Sequence, residues 1–247
     1  SIPEQENAIP YVTSYYEKNW GFSIAHKQRK TLKKCKYHVV IKSNFIHGSL
    51  KVGHAYINST EGSKEEILLS TYLCHPSMAN NELSGPITWI YLLKMISSLK
   101  RRKFNYRFYI GPETIGAICL LSIFGNKMKE NCVGGYVLTC CGDNSSPTYK
   151  KSRKDKTLSD KAAINTLKNY SEDFKVFEFF PEGSDERQFC SPGFNLPIGS
   201  IMRSMYGTYD EYHTSLDNKN FINFKNIIEM IDLYFKSLLS IEYNCKY

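Results

Sequence analysis

The stretch Leu68-Leu69-Ser70-Thr71-Tyr72-Leu73-Cys74-His75-Pro76-Ser77-Met78-Ala79-Asn80-Asn81-Glu82-Leu83-Ser84-Gly85 decides how this chain reads. Leu68 to Leu73 is short, apolar and rich in strand formers, as a strand covered on both faces should be. His75 stands at its carboxyl end and Pro76 stops it. Asn80, Asn81 and Glu82 then crowd three oxygen-bearing side chains together. Ser84 is placed to cap the apolar helix that follows, with Pro86 in its first turn, where a missing N–H costs nothing. Open α/β sheets bind ligands just beyond the carboxyl ends of their strands. A histidine followed by an amide and carboxylate cluster at that place is a candidate metal site. A lone histidine in a turn is as readily a satisfied turn residue, so recurrence along the chain has to decide.

Upstream, residues 1 to about 34 are polar and aromatic and suggest no regular element. From Lys36 the texture alternates, through Tyr37 to Lys42 and again through Ser49 to Ile57, with Asn44 to Gly48 between. That pattern predicts an antiparallel hairpin over residues 36–58, at the sheet edge or in a small satellite. Downstream, Ile87 to Leu99 has helical spacing and ends in Lys100-Arg101-Arg102-Lys103, cations suited to a helix C-terminus. Strands are expected at Tyr106 to Ile110, Gly135 to Cys141, Phe174 to Phe179 and Leu196 to Met202. Helices are expected at Ala117 to Phe124, Thr157 to Tyr170 and Phe221 to Ile241. In the last, Phe221, Phe224, Ile227, Ile228, Ile231, Phe235 and Leu238 form the expected buried face. Strands alternating with helices give an α/β class with a mainly parallel central sheet flanked by helices.

The 247 residues suit one domain spanning 1–247 with a sizeable core, and 42% hydrophobic residues fit a globular chain. No run approaches the roughly 18 apolar residues of a membrane helix, and no secretory signal is visible. The formal charge of +8 is spread in short runs, which predicts a solvated basic face; no nucleic-acid motif accompanies it. An anionic substrate or acidic partner stays open. Among the eight cysteines there is no C-x-x-C pair, so a cysteine-based zinc site is not expected. Cys74, Cys119, Cys140 and Cys141 lie in apolar runs and read as small buried hydrophobes. Reduced thiols in a cytoplasmic protein are the expectation.

Three buried strands end in His75, Glu113 and Asp143, and a fourth leads through a tyrosine-rich loop to His213. Parallel strands share a direction, so these ends fall on one edge of the sheet. Imidazole nitrogen and carboxylate oxygen are what a hydrolytic zinc site uses.

In order, the chain presents His75, Asn81-Glu82-Leu83-Ser84-Gly85, Glu113-Thr114, Asp143, Ser184-Asp185-Glu186-Arg187-Gln188-Phe189 and His213-Thr214. This order resembles the co-catalytic zinc aminopeptidases, whose fold glutaminyl cyclases share. The stretches C-H-P-S-M-A-N-N-E-L-S-G, P-E-T-I-G and G-S-D-E-R-Q-F-C-S-P-G resemble more closely a bacterial aminopeptidase-like group of unassigned function. Longer members of that group carry extra sequence before the part matching Ser1 and a winged-helix segment after the part matching Tyr247. The resemblance implies His75 and Asp143 as ligands of one metal and His213 as ligand of a second. Glu113 would be the general base and Asp185 a support for the pocket rim. Asn81 stands where the family has its bridging aspartate, with Glu82 beside it as a substitute ligand. Thr114 replaces the second glutamate of the family pair, which weakens the second site and leaves one zinc ion as the expectation. Asn81, Asp185, Arg203 and Tyr212 are the expected substrate contacts. The implied activity is metal-dependent hydrolysis of amide bonds in small peptides or amino-acyl conjugates. A single-zinc acyl transfer of the glutaminyl-cyclase kind and a non-catalytic binding domain remain alternatives.

Overall fold

The structure is a computed structural model that describes residues 1–13, 18–44 and 46–244. A seven-stranded sheet runs β1 (Gly53–Ile57), β3 (Asn105–Gly111), β2 (Glu66–Tyr72), β4 (Cys132–Val137), β7 (Ile198–Met202), β5 (Thr148–Lys150), β6 (Lys175–Phe177). β2, β3, β4 and β7 are mutually parallel, whereas β1 and β5 run antiparallel to β3 and β7. β2 is buried along its whole length. Its alternate residues feed two different cores, as the period of two requires. Ile67 and Leu69 join the cluster beneath α2 (Ser84–Ser97), α4 (Leu158–Tyr170) and α6 (Phe224–Glu242). Leu68 and Tyr72 join the cluster beneath α3 (Ile115–Asn131) and the short α5 (Glu186–Phe189). The expected α/β sandwich is therefore present, with helices on both faces. No helix of the described residues is long and apolar enough to cross a membrane.

Local chemistry sets several boundaries. Thr157 and Asp160 form a reciprocal capping box that starts α4. Gly85 lets α2 approach the sheet closely, because a Cβ there would collide with the Leu138 carbonyl oxygen. Ser84 does not cap α2. A π-helical turn, Ala79–Leu83, precedes the helix and runs into it, so Ser84 lies inside the coil and its hydroxyl accepts from the Cys141 N–H at 2.8 Å.

The hairpin expected over 36–58 does not form. Only Gly53–Ile57 is a strand, at the sheet edge, and its partner is β3. Residues 36–44 and 46–52 have no regular structure, while Phe45 lies outside the described residues. Tyr37, Val39, Ile41 and Val52 are exposed, so no second layer rewards their alternation. β1 is instead fixed by Arg107 on β3, whose guanidinium lies 4.9 Å from the Tyr56 ring centroid. The amino-terminal region contains a short helix, α1 (His26–Thr31), that the sequence did not suggest.

In α6 the buried face is Ile227, Met230, Ile231, Tyr234, Leu238 and Ile241. Phe224 and Ile228 are each 65% exposed. The expected face was therefore rotated at its amino-terminal end.

Candidate functional site

The site is built at the carboxyl edge of β2, β3 and β7. His75 follows β2 by three positions and is buried. Its Nδ1 lies 2.6 Å from Glu82 Oε1, and Glu82 Oε2 accepts the Cys74 N–H at 2.6 Å. Burial pulls the imidazole down, but the Cys74 thiol and the Glu82 carboxylate outweigh it and push its pKa up to about 10. The other ring nitrogen, Nε2, faces Glu113 Oε2 at 3.7 Å. Burial raises the Glu113 carboxyl, and the His75 charge offsets part of that, leaving it at about 7.

His213 brings its ring to 4.9 Å from His75, centroid to centroid. It stacks on Tyr212 at 3.9 Å with planes 13° apart, and its Nε2 has no hydrogen-bond partner among the described residues. Burial and then the His75 charge lower it to about 4, so it is a neutral imidazole. Tyr11 roofs both histidines, 5.0 Å from His75 and 5.5 Å from His213. Its backbone N–H donates to the His213 carbonyl at 2.8 Å. Sequence reasoning missed Tyr11, because a contact across about 200 positions leaves no local signal.

Asp185 is buried and accepts the Thr114 N–H at 2.6 Å. Burial holds its carboxyl well above the ordinary range. The neighbouring Glu186 is paired with the buried Lys150 at 2.8 Å, and Lys150 also donates to Tyr206 and to the Glu182 carbonyl. Asp217, which the sequence reading also passed over, accepts the N–H groups of Ala79, Asn80 and Asn81 at 3.2, 2.6 and 2.9 Å. It thereby fixes the π-helical turn that carries Glu82. Ser77, Thr114, Cys140 and His213, all around this edge, have positive φ. Backbone strain gathered in one place is typical of functional sites.

Two expected residues, Asp143 and Arg203, are placed differently. Asp143 accepts four hydrogen bonds, from Asn80 Nδ2, Ser145 N, Ser204 N and Ser204 Oγ, which fills both carboxylate oxygens. Among the described residues it enters no group of three metal-type donors. β4 ends at Val137, so the residue beside Asn81 is Cys140, with Asn81 Nδ2 3.9 Å from its sulfur. Burial pushes that thiol up to about 12, so Cys140 is neutral. Arg203 is spent within the protein: its guanidinium pairs with Glu229 at 2.5 Å and donates to the Ser145 carbonyl at 2.8 Å. It offers no free fork to a substrate.

Cys74 corrects a further expectation. It is exposed, as is Cys119, whereas Cys140 and Cys141 are buried as expected. The chain leaves the sheet at Tyr72, so the apolar pair Leu73-Cys74 lies beyond the covered layer. Cys74, His75 and Glu82 are the described residues whose donor atoms approach one another closely enough, within 4.8 Å, to hold an ion.

Nitrogen and carboxylate oxygen donors of the kind a metal ion takes stand together here. His75 and Glu82 are together and His213 has an unsatisfied, neutral nitrogen. Asn81 is an amide with an unpartnered buried oxygen, Thr114 offers no carboxylate, and Asp143 is saturated.

Comparison with known proteins agrees with the fold. The family model described as Domain of unknown function (DUF4910) matches residues 3–244. A Clostridium acetobutylicum protein, named for polysaccharide biosynthesis and an aminopeptidase-like domain, is 44% identical over all 247 residues. The chain spans 56% of that relative's length. The crystal structure of a Clostridium acetobutylicum protein assigned as a peptidase superposes with a TM-score of 0.92 at 44% identity, covering 98% of this chain and 56% of that one. The zinc aminopeptidase BSAP of Bacillus subtilis superposes at 0.66 with 14% identity, over 78% of this chain and 50% of that one. The aminopeptidase from Aneurinibacillus sp. strain AM-1 gives 0.63 at 15%, over 79% and 50%. At such identities these two speak for the fold alone.

Proposed function

The chain belongs to the DUF4910 family and has the zinc-aminopeptidase fold, and on that premise we propose that it is a metal-dependent hydrolase of amide bonds. The observation that carries the reading is Glu113, a partly buried carboxyl that burial raises to about 7, facing the ring of His75 at 3.7 Å. A general base works best when its pKa lies near the working pH. Small peptides and amino-acyl conjugates are the first substrate class. Because the name of the Clostridium acetobutylicum relative refers to polysaccharide biosynthesis, we add N-acyl amino sugars, which are amides as well, as a second class to test.

His75 and Glu82 would hold a single zinc ion, with His213 the next donor at hand. Bound there, zinc would supply Lewis-acid polarisation of the scissile carbonyl and acidify water. Glu113 takes one proton from the attacking water as its oxygen bonds to the carbonyl carbon. It returns that proton to the departing nitrogen as the C–N bond breaks. The Cys74 N–H holds Glu82 through Oε2, and Tyr11 keeps solvent from the face between the two histidines.

Purified chain should be screened with added zinc on amino-acyl amides and N-acyl amino sugars. Glu113→Gln should lower kcat by about 10²–10⁴-fold while zinc binding persists. Undiminished turnover in that variant would overturn the role of Glu113. The neutral pair Asn81 and Cys140, where a carboxylate-rich centre would be expected, favours a second reading as a ligand-binding domain. That reading wins if zinc-loaded, folded protein cleaves no amide in the panel.

A further inference from the structure

Three donor atoms converge on one side of the His75 ring. Cys74 Sγ lies 3.1 Å from Nδ1, Glu82 Oε1 lies 2.6 Å from the same nitrogen, and Sγ and Oε1 are 3.9 Å apart. A tetrahedral zinc ion with bonds of about 2.0–2.3 Å keeps its ligand atoms about 3.3–3.6 Å from one another. The three observed separations straddle that range.

We infer that Cys74 is a thiolate ligand of the metal, completing with His75 and Glu82 a mixed sulfur, nitrogen and oxygen set. The inference rests on the metal site of the proposed function, though not on its chemistry. Four features support it. The Cys74 thiol is exposed, so an ion can reach it without unfolding. It opens, with His75 and Glu82, onto a cleft of about 270 Å³. Its sulfur accepts the Glu113 backbone N–H at 3.3 Å, which fixes where the sulfur stands beside the His75 ring. Its own N–H is held by Glu82 Oε2, so sulfur and carboxylate are carried on one rigid turn.

Loading breaks the S–H bond and forms a sulfur–metal bond, the proton leaving to solvent with the one shared by His75 and Glu82. A thiolate also changes which ions the site takes. Soft sulfur selects zinc and its thiophilic relatives over magnesium, calcium and manganese.

The test uses the full 247-residue chain, stripped by a chelator and titrated with cobalt(II) alone. A sulfur-to-cobalt charge-transfer band in the near ultraviolet is expected, displaced by zinc. Cys74→Ser should abolish the band and weaken cobalt binding by at least the roughly 10–100-fold that loss of even an outer partner costs. Cys119→Ser should leave both unchanged. Alkylation of the wild-type chain decides the matter without any variant, should Cys74→Ser fail to fold. Zinc should shield Cys74 from iodoacetamide, located by peptide mapping, while Cys35 and Cys119 stay reactive. Cobalt bound without the band, a band that survives Cys74→Ser, Cys74 labelled equally with and without zinc, or no binding of either ion would overturn the assignment. A band without hydrolysis of any amide leaves the ligand standing and removes the hydrolase. Hydrolysis by a metal site that shows no band does the reverse.

Discussion

Asp185 and Thr114, 71 positions apart in the chain, are joined by a 2.6 Å hydrogen bond from the Thr114 amide to the Asp185 carboxyl. Thr114 sits at φ 63°, ψ −65°, a region that a β-branched residue avoids at a cost of about 1–3 kcal/mol. Asp185 holds it there, and Glu113 is the preceding residue, so the bond sets the direction in which Glu113 projects. The buried Asp185, whose carboxyl burial holds well above the ordinary range, is matched in shape by asparagine, which keeps the accepting oxygen. Asp185→Asn should therefore leave amide turnover within a few-fold of wild type. Asp185→Ala should lower it by up to about 100-fold, the scale of a misplaced reacting group. Equal kcat for the two variants would remove this bond from the account.

Glu113 also ties stability to pH. Its folded value of about 7 lies above the ordinary 4.5, so the folded chain binds the proton more tightly than the unfolded one. Stability is then complete below pH 4.5 and falls as pH rises toward 7, with no further loss from this group beyond. Glu113→Gln removes that penalty. In chelator-treated protein the variant should match wild type near pH 4 and exceed it by about 3 kcal/mol at pH 8, read from urea midpoints. A wild type that is equally stable at both extremes, relative to the variant, contradicts the assignment.

Away from the site, Glu66 and Arg107 form a fully buried, two-pronged pair, with contacts of 3.0 and 2.9 Å. Arg107 is flanked by the rings of Tyr56 and Phe124 and contacts His54 Nε2 at 3.0 Å. Removing one member strands a buried charge, so Arg107→Leu should cost about 3–5 kcal/mol. Glu66→Leu with Arg107→Leu should recover most of that loss. Chemical denaturation of the single and the double variant checks the coupling.

The two faces of α6 give a direct contrast. Leu238 is fully buried, and Leu238→Ala should cost about 2–5 kcal/mol. Phe224→Ala and Ile228→Ala, on the exposed side, should change stability by no more than about 0.5 kcal/mol. Thermal melts of the single variants are sufficient, and a large loss at Phe224 would mean that something covers it.

Much of this architecture was legible because burial leaves a compositional trace. β2 and β3 read as continuous apolar runs, and His75 and Glu113 could be placed at their ends by counting. The same logic misplaced Asp143. Thr139-Cys140-Cys141 is as apolar as the strand before it, and composition cannot tell a buried strand from the buried coil that continues it. The chain leaves the sheet at Val137, which brings Cys140 to Asn81 and turns Asp143 toward Ser204. Alternation over residues 36–52 misled for the opposite reason, since no neighbouring layer covers it. Cys74 was read as core because it adjoins leucines, yet β2 had already ended at Tyr72. Tyr11 and Asp217 had no readable signal, because each acts on residues far away in sequence.

The arm that carries Tyr11 has a temporal consequence. Ile9 donates to the Ser215 hydroxyl across 206 positions, Ser215 returns a bond to the Ile9 carbonyl, and Pro10 bridges to Thr214. At roughly 5–20 residues per second, a ribosome that has made Ile9 needs about 10–40 s more to reach Ser215. Throughout that interval the arm lacks its backbone partners Thr214 and Ser215, and His75 and Glu113 are present without His213. The two ends of the stretch must then meet by closing nearly the whole chain into one loop, a slow class of contact. Until Ser215 has been made this edge therefore stays open, and assembling it is a late event in the folding of residues 9–215.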